Sequence, residues 1–268
     1  NPFFDQIKPI NITDVLRYVD QETGFLDNFE HVLPVQSKGR ANVNDLLAVI
    51  IGNGTNYGLY GMANISDRAY DQLKGIQANY LRPETLNNAN DVINNSVARL
   101  AIFKHYNIQE DLIHASADGQ KFESRLETFK TRYSSKYFGT NKGVSAITLI
   151  ANHAALNAKV IGSNEHESHY IFDLLQSNTS EIQPDVLSTD THGVNHVNFA
   201  LLDLFGYTFA PRYAQFGKVI EEMFKVSENK DQGVTLSLKK PIKTDLIIEH
   251  WDTIQRIAIS LQEKSTTQ

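Results

Sequence analysis

The sequence predicts a mixed protein of the α+β or α/β class. A helical amino-terminal region leads into a mixed sheet in the order β-β-β-α-β-α-β, and a mostly helical segment follows. Three observations carry this expectation. Apolar residues recur at helical spacing through roughly the first hundred positions. From about Leu112 the period drops to two and short apolar runs appear between turn residues. Beyond Arg212 the helical spacing returns. The expected divisions are residues 1–110, 111–212 and 213–268.

In the first region Asn11 is placed to cap a short turn carrying Ile12, Val15, Leu16 and Val19. Asn42 or Asn44 opens a helix through Ile51, stopped by Gly52. Ser66 caps a third, with Ala69, Tyr70, Leu73, Ile76 and Tyr80 on one face. Pro83, suited to a first helical position, starts a fourth bearing Leu86, Ala89, Ile93 and Val97.

In the second region Leu112 to Asp118 reads as a strand ended by the turn signal Asp118-Gly119. Val144 to Ala151 and Asn157 to Ile161 are the next strands, and His166 to Gln176 is a helix. Val186 to Asp190 reads as a strand ending on a second acid. Asn195 to Phe205 is an apolar helix stopped by Gly206, and Tyr207 to Pro211 a last strand. Helices are expected at Phe216 to Val226 and Thr244 to Gln262, with a β segment at Val234 to Leu238 between them.

Composition excludes several classes of function. Of 268 residues 41% are hydrophobic and 21% charged, a globular rather than disordered balance. No apolar run approaches the length that spans a bilayer, and no basic-flanked apolar leader is present, so neither a membrane partner nor a secretory signal is expected. The absence of Cys excludes disulfide frameworks, thiolate metal sites and cysteine nucleophiles, and favours a cytosolic location. The chain starts on Asn1 rather than Met and reads as a piece of something longer. Its net charge of −6 argues against a dedicated DNA-binding domain.

Asp118 and Asp190 form the sharpest pair. In the expected order the first strand is central and the fourth pairs beside it in parallel, bringing acids 72 residues apart onto one sheet edge. Two carboxylates that close share a proton or hold a divalent cation. Alone, each Asp would be an ordinary turn-former. His192 and His196, four apart behind Asp190, suggest a single-zinc hydrolase, although Gly193 between them breaks a helix. His166 and His169 read as solvated surface, and Gly52 to Asn56 lacks the Lys-Ser/Thr of a phosphate loop.

Local charge departs from the total. Residues 121–142 carry six cations against Glu123 and Glu127, and residues 212–243 carry seven against four acids. Tyr133, Tyr137, Phe138, Tyr213 and Phe216 are interleaved among them, a pattern suited to a phosphodiester backbone or to a plain solvated face.

Several motifs, in order and over nearly the whole chain, resemble those of the transposases of the Tn3 family of replicative transposons. They are Gly54-Thr-Asn-Tyr-Gly-Leu59 with Met62-Ala63, Tyr80-Leu-Arg-Pro-Glu-Thr85, Ser116-Ala-Asp-Gly-Gln120, Thr189-Asp-Thr-His-Gly193 and Phe209-Ala-Pro-Arg212. Gly24-Phe-Leu-Asp27 and Trp251-Asp252 fit as well. The resemblance implies a ribonuclease-H-like catalytic domain whose Asp-Asp-Glu triad binds two Mg²⁺ (or Mn²⁺) ions and cuts and joins DNA. Water first frees a 3′-hydroxyl, which then attacks target DNA. Asp118 matches the first acid and Asp190 the second, while Gln120, Lys121 and Arg212 are expected to contact DNA. In that family the Glu lies beyond a largely helical insertion, well over a hundred residues past the second Asp, whereas 78 residues follow Asp190 here. Glu221, Glu222, Glu249 and Glu263 are the acids within the chain that could replace it. The expected partners are transposon ends and target DNA, with self-association as a dimer on DNA in the bacterial cytoplasm. The competing expectations are a non-catalytic DNA-binding or structural remnant, and a hydrolase using Asp190, His192 and His196.

Overall fold

The computed structural model describes residues 8–35, 39–225, 238 and 240–268. The chain divides into two compact units, Asn1–Phe103 with Thr179–Ile182, and Lys104–Asn178 with Gln183–Gln268.

The first unit contains α1 (Ile12–Thr23), α2 (Val43–Gly54), α3 (Gly58–Ile65), α4 (Tyr70–Tyr80) and α5 (Pro83–Ala98). Asn42 caps α2, its side chain accepting from the Asn44 and Asp45 amides at 3.0 and 3.3 Å. Helix α2 is apolar on two sides because it is packed on two sides. Leu46 and Leu47 lie among Phe25, Leu26, Phe29, Tyr80 and Ala89, while Ala48 and Val49 meet Leu73. Gly52 does not end the helix. A β-carbon there would sit 3.3 Å from Met62 and the Gly58 carbonyl, so the residue provides the close approach of α3. Ser66 does not open α4 but closes α3, donating to the Met62 carbonyl at 2.7 Å. Pro83 takes the first position of α5, and the Arg82 amide donates to Thr85 Oγ1 at 3.0 Å. Residues 179–182 return to this unit through Glu181, whose amide donates to Asn95 and whose carboxylate pairs with Arg99 at 3.0 Å.

The second unit is built on β1 (His114–Glu123), β2 (Arg132–Tyr133), α6 (Ser135–Phe138), β3 (Lys142–Ala151), β4 (Ala154–Gly162), α7 (Ile171–Gln176), β5 (Val186–Thr189), α8 (His196–Leu204) and β6 (Thr208–Phe209). The two-residue β2 and the short α6 separate the first long strand from the second, a departure from the expected order. Strand β1 is central. It pairs antiparallel with β3 from Ala115↔Ala151 to Glu123↔Gly143, and parallel with β5 from His114↔Val186 to Ala117↔Thr189. β3 carries β4 and β2 on its other edge, and β6 extends the sheet beyond β5.

Alternation along the strands separates two faces. Ala115, Ala117, Ile147, Leu149 and Leu187 are buried, as are Ile171, Phe172, Leu174 and Leu175 of α7 and Leu202 of α8. On the other face Ser116, Asp118, Gln120 and Phe122 of β1 are exposed. Beyond the sheet come α9 (Phe216–Ile220), β7 (Phe224–Lys225) paired in parallel with β8 (Lys240–Pro241), α10 (Thr244–Glu249) and α11 (Trp251–Gln262). The helix expected from Phe216 is therefore cut short, and the one expected from Thr244 is broken at His250. Of the β segment expected at Val234 to Leu238, all but Leu238 lies outside the described residues. Gln268 is tied back to α7, where its Oε1 accepts from the Phe172 amide at 2.9 Å.

Candidate active site

Asp118 lies in the middle of β1, not at its end as the Asp-Gly turn signal suggested. Pairing with β3 carries the strand on to Glu123, five residues further. Gly119 serves another purpose. A β-carbon at this position would overlap the Glu167 carboxylate, so the missing side chain makes room for that acid on the covered face. What ends near Asp118 is the parallel ladder, whose last pair is Ala117↔Thr189. Asp118 and Asp190 each follow that pair by one residue. Ser116 and Ser188 are in register on the open face, and each acid is two residues further along, so alternation directs both carboxylates to the same side.

Asp190 terminates β5 and caps the short turn Thr191–Gly193. Its Oδ1 accepts from the His192 and Gly193 amides at 2.9 and 3.3 Å, and its Oδ2 accepts from His192 Nδ1 at 2.8 Å. Burial alone would push this carboxyl up, but the hydrogen bonds and charge of His192 and the Gly193 amide hold it below its usual range. Asp118 is exposed and accepts from the Gly119 amide at 2.8 Å.

A buried polar network lies behind the two acids. Ser145 Oγ donates to Glu167 Oε1 at 3.0 Å, and Lys121 Nζ stands 3.5 Å from the same oxygen. The sequence placed Lys121 against DNA, but as an odd-numbered position of β1 it turns to the covered face and spends its charge on Glu167. Asn198, fully buried in α8, donates to the Ser168 carbonyl and to the Gly193 carbonyl, both at 2.9 Å. It thereby joins the turn that presents Glu167 to the turn capped by Asp190. Gly193 in turn leaves space for Thr189, whose side chain a β-carbon would meet at 2.5 Å. On the open face His114 Nε2 and Ser188 Oγ are 2.6 Å apart, and Ser188 donates to the Ala210 carbonyl at 2.6 Å, linking the parallel strands.

Glu167 and Asn198 were missed in sequence. Glu167 belongs to the Glu-His-Glu-Ser-His run, which reads as solvated surface. Its signal was indirect, a strand-interior glycine opposite it. Asn198 is a fully buried polar residue between Val197 and Phe199 in a mostly apolar helix, which is the usual mark of a buried hydrogen-bonding hub.

The remaining sites of interest are distributed as follows. Arg212 is exposed beside Asp190, its amide donating to the Thr189 carbonyl at 2.8 Å. Gln120 is exposed two residues past Asp118 on the same face. His196 packs edge-on against Phe224 with ring centroids 5.4 Å apart. Among the described residues no group of three His, Asp or Glu side chains is arranged to hold a metal ion. This removes support for the Asp190–His192–His196 zinc site. Glu221 and Glu222, both described, likewise do not complete a three-ligand cluster.

Two carboxylates on one open sheet face, at the end of a parallel ladder, are hard oxygen donors of the kind that hold divalent cations. A family model, the Tn3 transposase DDE domain, matches residues 14–268. The chain belongs to this family. Among curated relatives of this Tn3 domain, the transposase for transposon gamma-delta of Escherichia coli K12 is 27% identical over 260 residues, 96% of this chain and 25% of that protein. The transposase for transposon Tn501 of Pseudomonas aeruginosa is 30% identical over 265 residues, 96% of this chain and 26% of its own length. The transposase for transposon Tn2501 of Escherichia coli is 32% identical over 286 residues, covering all of this chain and 27% of that protein. The chain thus spans about a quarter of the length of the relatives it matches. A Tn3 DDE domain implies a ribonuclease-H-like fold, and the mixed sheet is of the matching class. No helix among the described residues is long and apolar enough to cross a membrane.

Proposed function

We propose that this chain forms the central part of a transposase that cleaves and rejoins DNA, in which Asp118 and Asp190 would hold the divalent cations, Mg²⁺ or Mn²⁺. The observation that supports the reading is the register. The two acids follow the last pair of adjacent parallel strands and share one face. When bound, the ions would activate the attacking oxygen and stabilise the leaving one. The chain's own residues hold and orient. Asp118 is fixed by its pairing with β3 and directly follows the last pair with β5, and Asp190 is kept anionic by its turn. Exposed Arg212 and Gln120 flank the acids and are the residues assigned to the DNA backbone. Lys121 is reassigned to orienting Glu167.

A two-ion site needs more anionic oxygen than two side chains supply. The third carboxylate, a Glu in this reading, comes from outside this chain, in the whole protein. The chain by itself then binds the cations weakly and leaves DNA uncut. The whole protein would act as a dimer on transposon ends and target DNA in the bacterial cytoplasm, and residues 111–212 are its catalytic core.

Mn²⁺ binding to the chain, followed by electron paramagnetic resonance, tests this. Asp118→Asn and Asp190→Asn should each weaken binding by about tenfold or more, and each should abolish cleavage by the whole protein. Mn²⁺ affinity untouched by both substitutions would sink the assignment.

A further inference from the structure

Between β1 and β2 the chain exposes two large apolar side chains, Leu126 at 77% and Phe129 at 90%. Such exposure at a floppy tip would carry little meaning, but this tip is held from several directions. Residues 128–131 close a turn in which the Thr131 amide donates to the Thr128 carbonyl at 3.2 Å. The Thr128 amide donates to the buried Thr131 hydroxyl at 3.0 Å, and that hydroxyl donates back to the Thr128 carbonyl at 2.9 Å. Arg132 spans the turn, donating to the carbonyls of Phe129 and Thr131 at 2.8 and 2.9 Å. Lys130 reaches the Val160 carbonyl at 2.5 Å, and Ser124 fixes the Leu126 carbonyl at 2.7 Å. Phe129 is thus presented to solvent by a preorganised turn, which lowers the ordering cost of any contact it makes.

The surroundings indicate what it meets. Of the six cations in residues 121–142, Lys121 is paired with Glu167 and Lys142 with Glu127, which leaves Arg125, Lys130, Arg132 and Lys136 against Glu123. Arg125 and Lys136 are exposed on either side of the tip. An apolar point in a positive field fits a polyanion with apolar interior steps, and duplex DNA is that polymer.

We propose that the Thr128–Thr131 turn is a DNA wedge, with Phe129, backed by Leu126, entering a base step of the duplex while nearby cations hold the phosphates. The proposal rests on the reading of this chain as part of a transposase and adds a deformation to it.

The test uses the chain with a short duplex set, each carrying 2-aminopurine at a different step, and a second duplex with end-to-end fluorescence labels. Binding of the wild-type chain should raise 2-aminopurine emission at one step and shorten the end-to-end distance. Phe129→Ala, at a position too exposed to affect folding, should remove both signals and weaken binding about 5- to 30-fold. Its salt dependence should stay unchanged, because no charge is lost. Phe129→Trp should keep the signals. Arg125→Ala should instead lower the salt slope by about one while leaving the 2-aminopurine signal in place. Duplex binding without unstacking, or equal affinity in Phe129→Ala, overturns the wedge and leaves the transposase reading intact. No duplex binding at low salt overturns the wedge and also counts against DNA contact by this part of the protein. A change in self-association on Phe129→Ala, with no change on DNA, assigns the tip to a protein interface and overturns the proposal.

Discussion

The Glu167 carboxylate lies against Gly119, the residue that follows Asp118, at a point where any β-carbon would overlap it. One acid of the open face is thus backed, through the thickness of a single strand, by another acid on the covered face. Glu167 is tolerated there because Ser145 donates to it and Lys121 pairs with it, both largely out of water.

Gly119→Ala should therefore destabilise the sheet by about 1–3 kcal/mol, by overpacking rather than by loss of a turn. Chemical denaturation would measure this. Combined with Glu167→Ala, the second substitution should cost less than it does alone, a coupling of about 1 kcal/mol or more in a double-mutant cycle. Strict additivity would show that the two residues do not meet.

Asn198→Leu should cost on the order of 3 kcal/mol, because the Gly193 carbonyl loses its side-chain donor in the core and the Ser168 carbonyl keeps only Gln268 Nε2, at 3.2 Å. At temperatures where the variant is folded, Mn²⁺ affinity should also fall severalfold, since the turn that holds Asp190 loses its tie. Unchanged Mn²⁺ binding in a folded variant would reduce Asn198 to a core residue with no bearing on the acids.

The pH dependence follows from the sign of the Asp190 shift. Its carboxyl is depressed below 3.8 in the folded state, so its contribution to stability is complete above the ordinary range and disappears as pH falls through the depressed value. His192→Ala removes the ring donor, while the amide bonds and the burial remain. The midpoint should rise toward 3.8, and the turn should begin to loosen at a higher pH than in the wild type. Carbon-detected NMR titration of Asp190 reads both, and a midpoint that stays or falls would contradict the geometry.

Glu221→Gln and Glu222→Gln should leave Mn²⁺ binding within about twofold of wild type, because neither joins Asp118 and Asp190 in a ligand cluster among the described residues. Loss of binding in either variant would locate the third carboxylate inside this chain.

Much of the sheet was legible in sequence, because alternation and short apolar runs are direct consequences of a half-covered strand. Val144 to Ala151, where buried positions alternate with half-buried or exposed ones, is the plain example. The ends of elements were less legible. Asp118-Gly119 carries a strong turn signal, yet the close approach of Glu167 explains the glycine, and nothing local announces a partner nearly fifty residues away. Gly52 misled in the same manner, since its role is set by Met62 and Gly58 across a helix pair. Asp190 was legible as a strand-ending acid, while the partners of the hub at Asn198 depend on two distant turns meeting.

Strand β1 is bonded on both edges up to Ala117, and on the β3 edge through to Glu123. Deleting or inserting one residue upstream of Asp118 within it would exchange the two faces, sending the acid into the core and a small apolar neighbour into solvent. The turn after Asp190 obeys no such parity, since hydrogen bonds rather than alternation place its groups. Length variation among related chains should therefore be forbidden by strand parity between residues 114 and 118, whereas between residues 191 and 195 it is opposed by the bonds of His192, Gly193 and Asn198 instead, so that the two acids, equal in charge, stand under constraints of different kinds on how the gene can change.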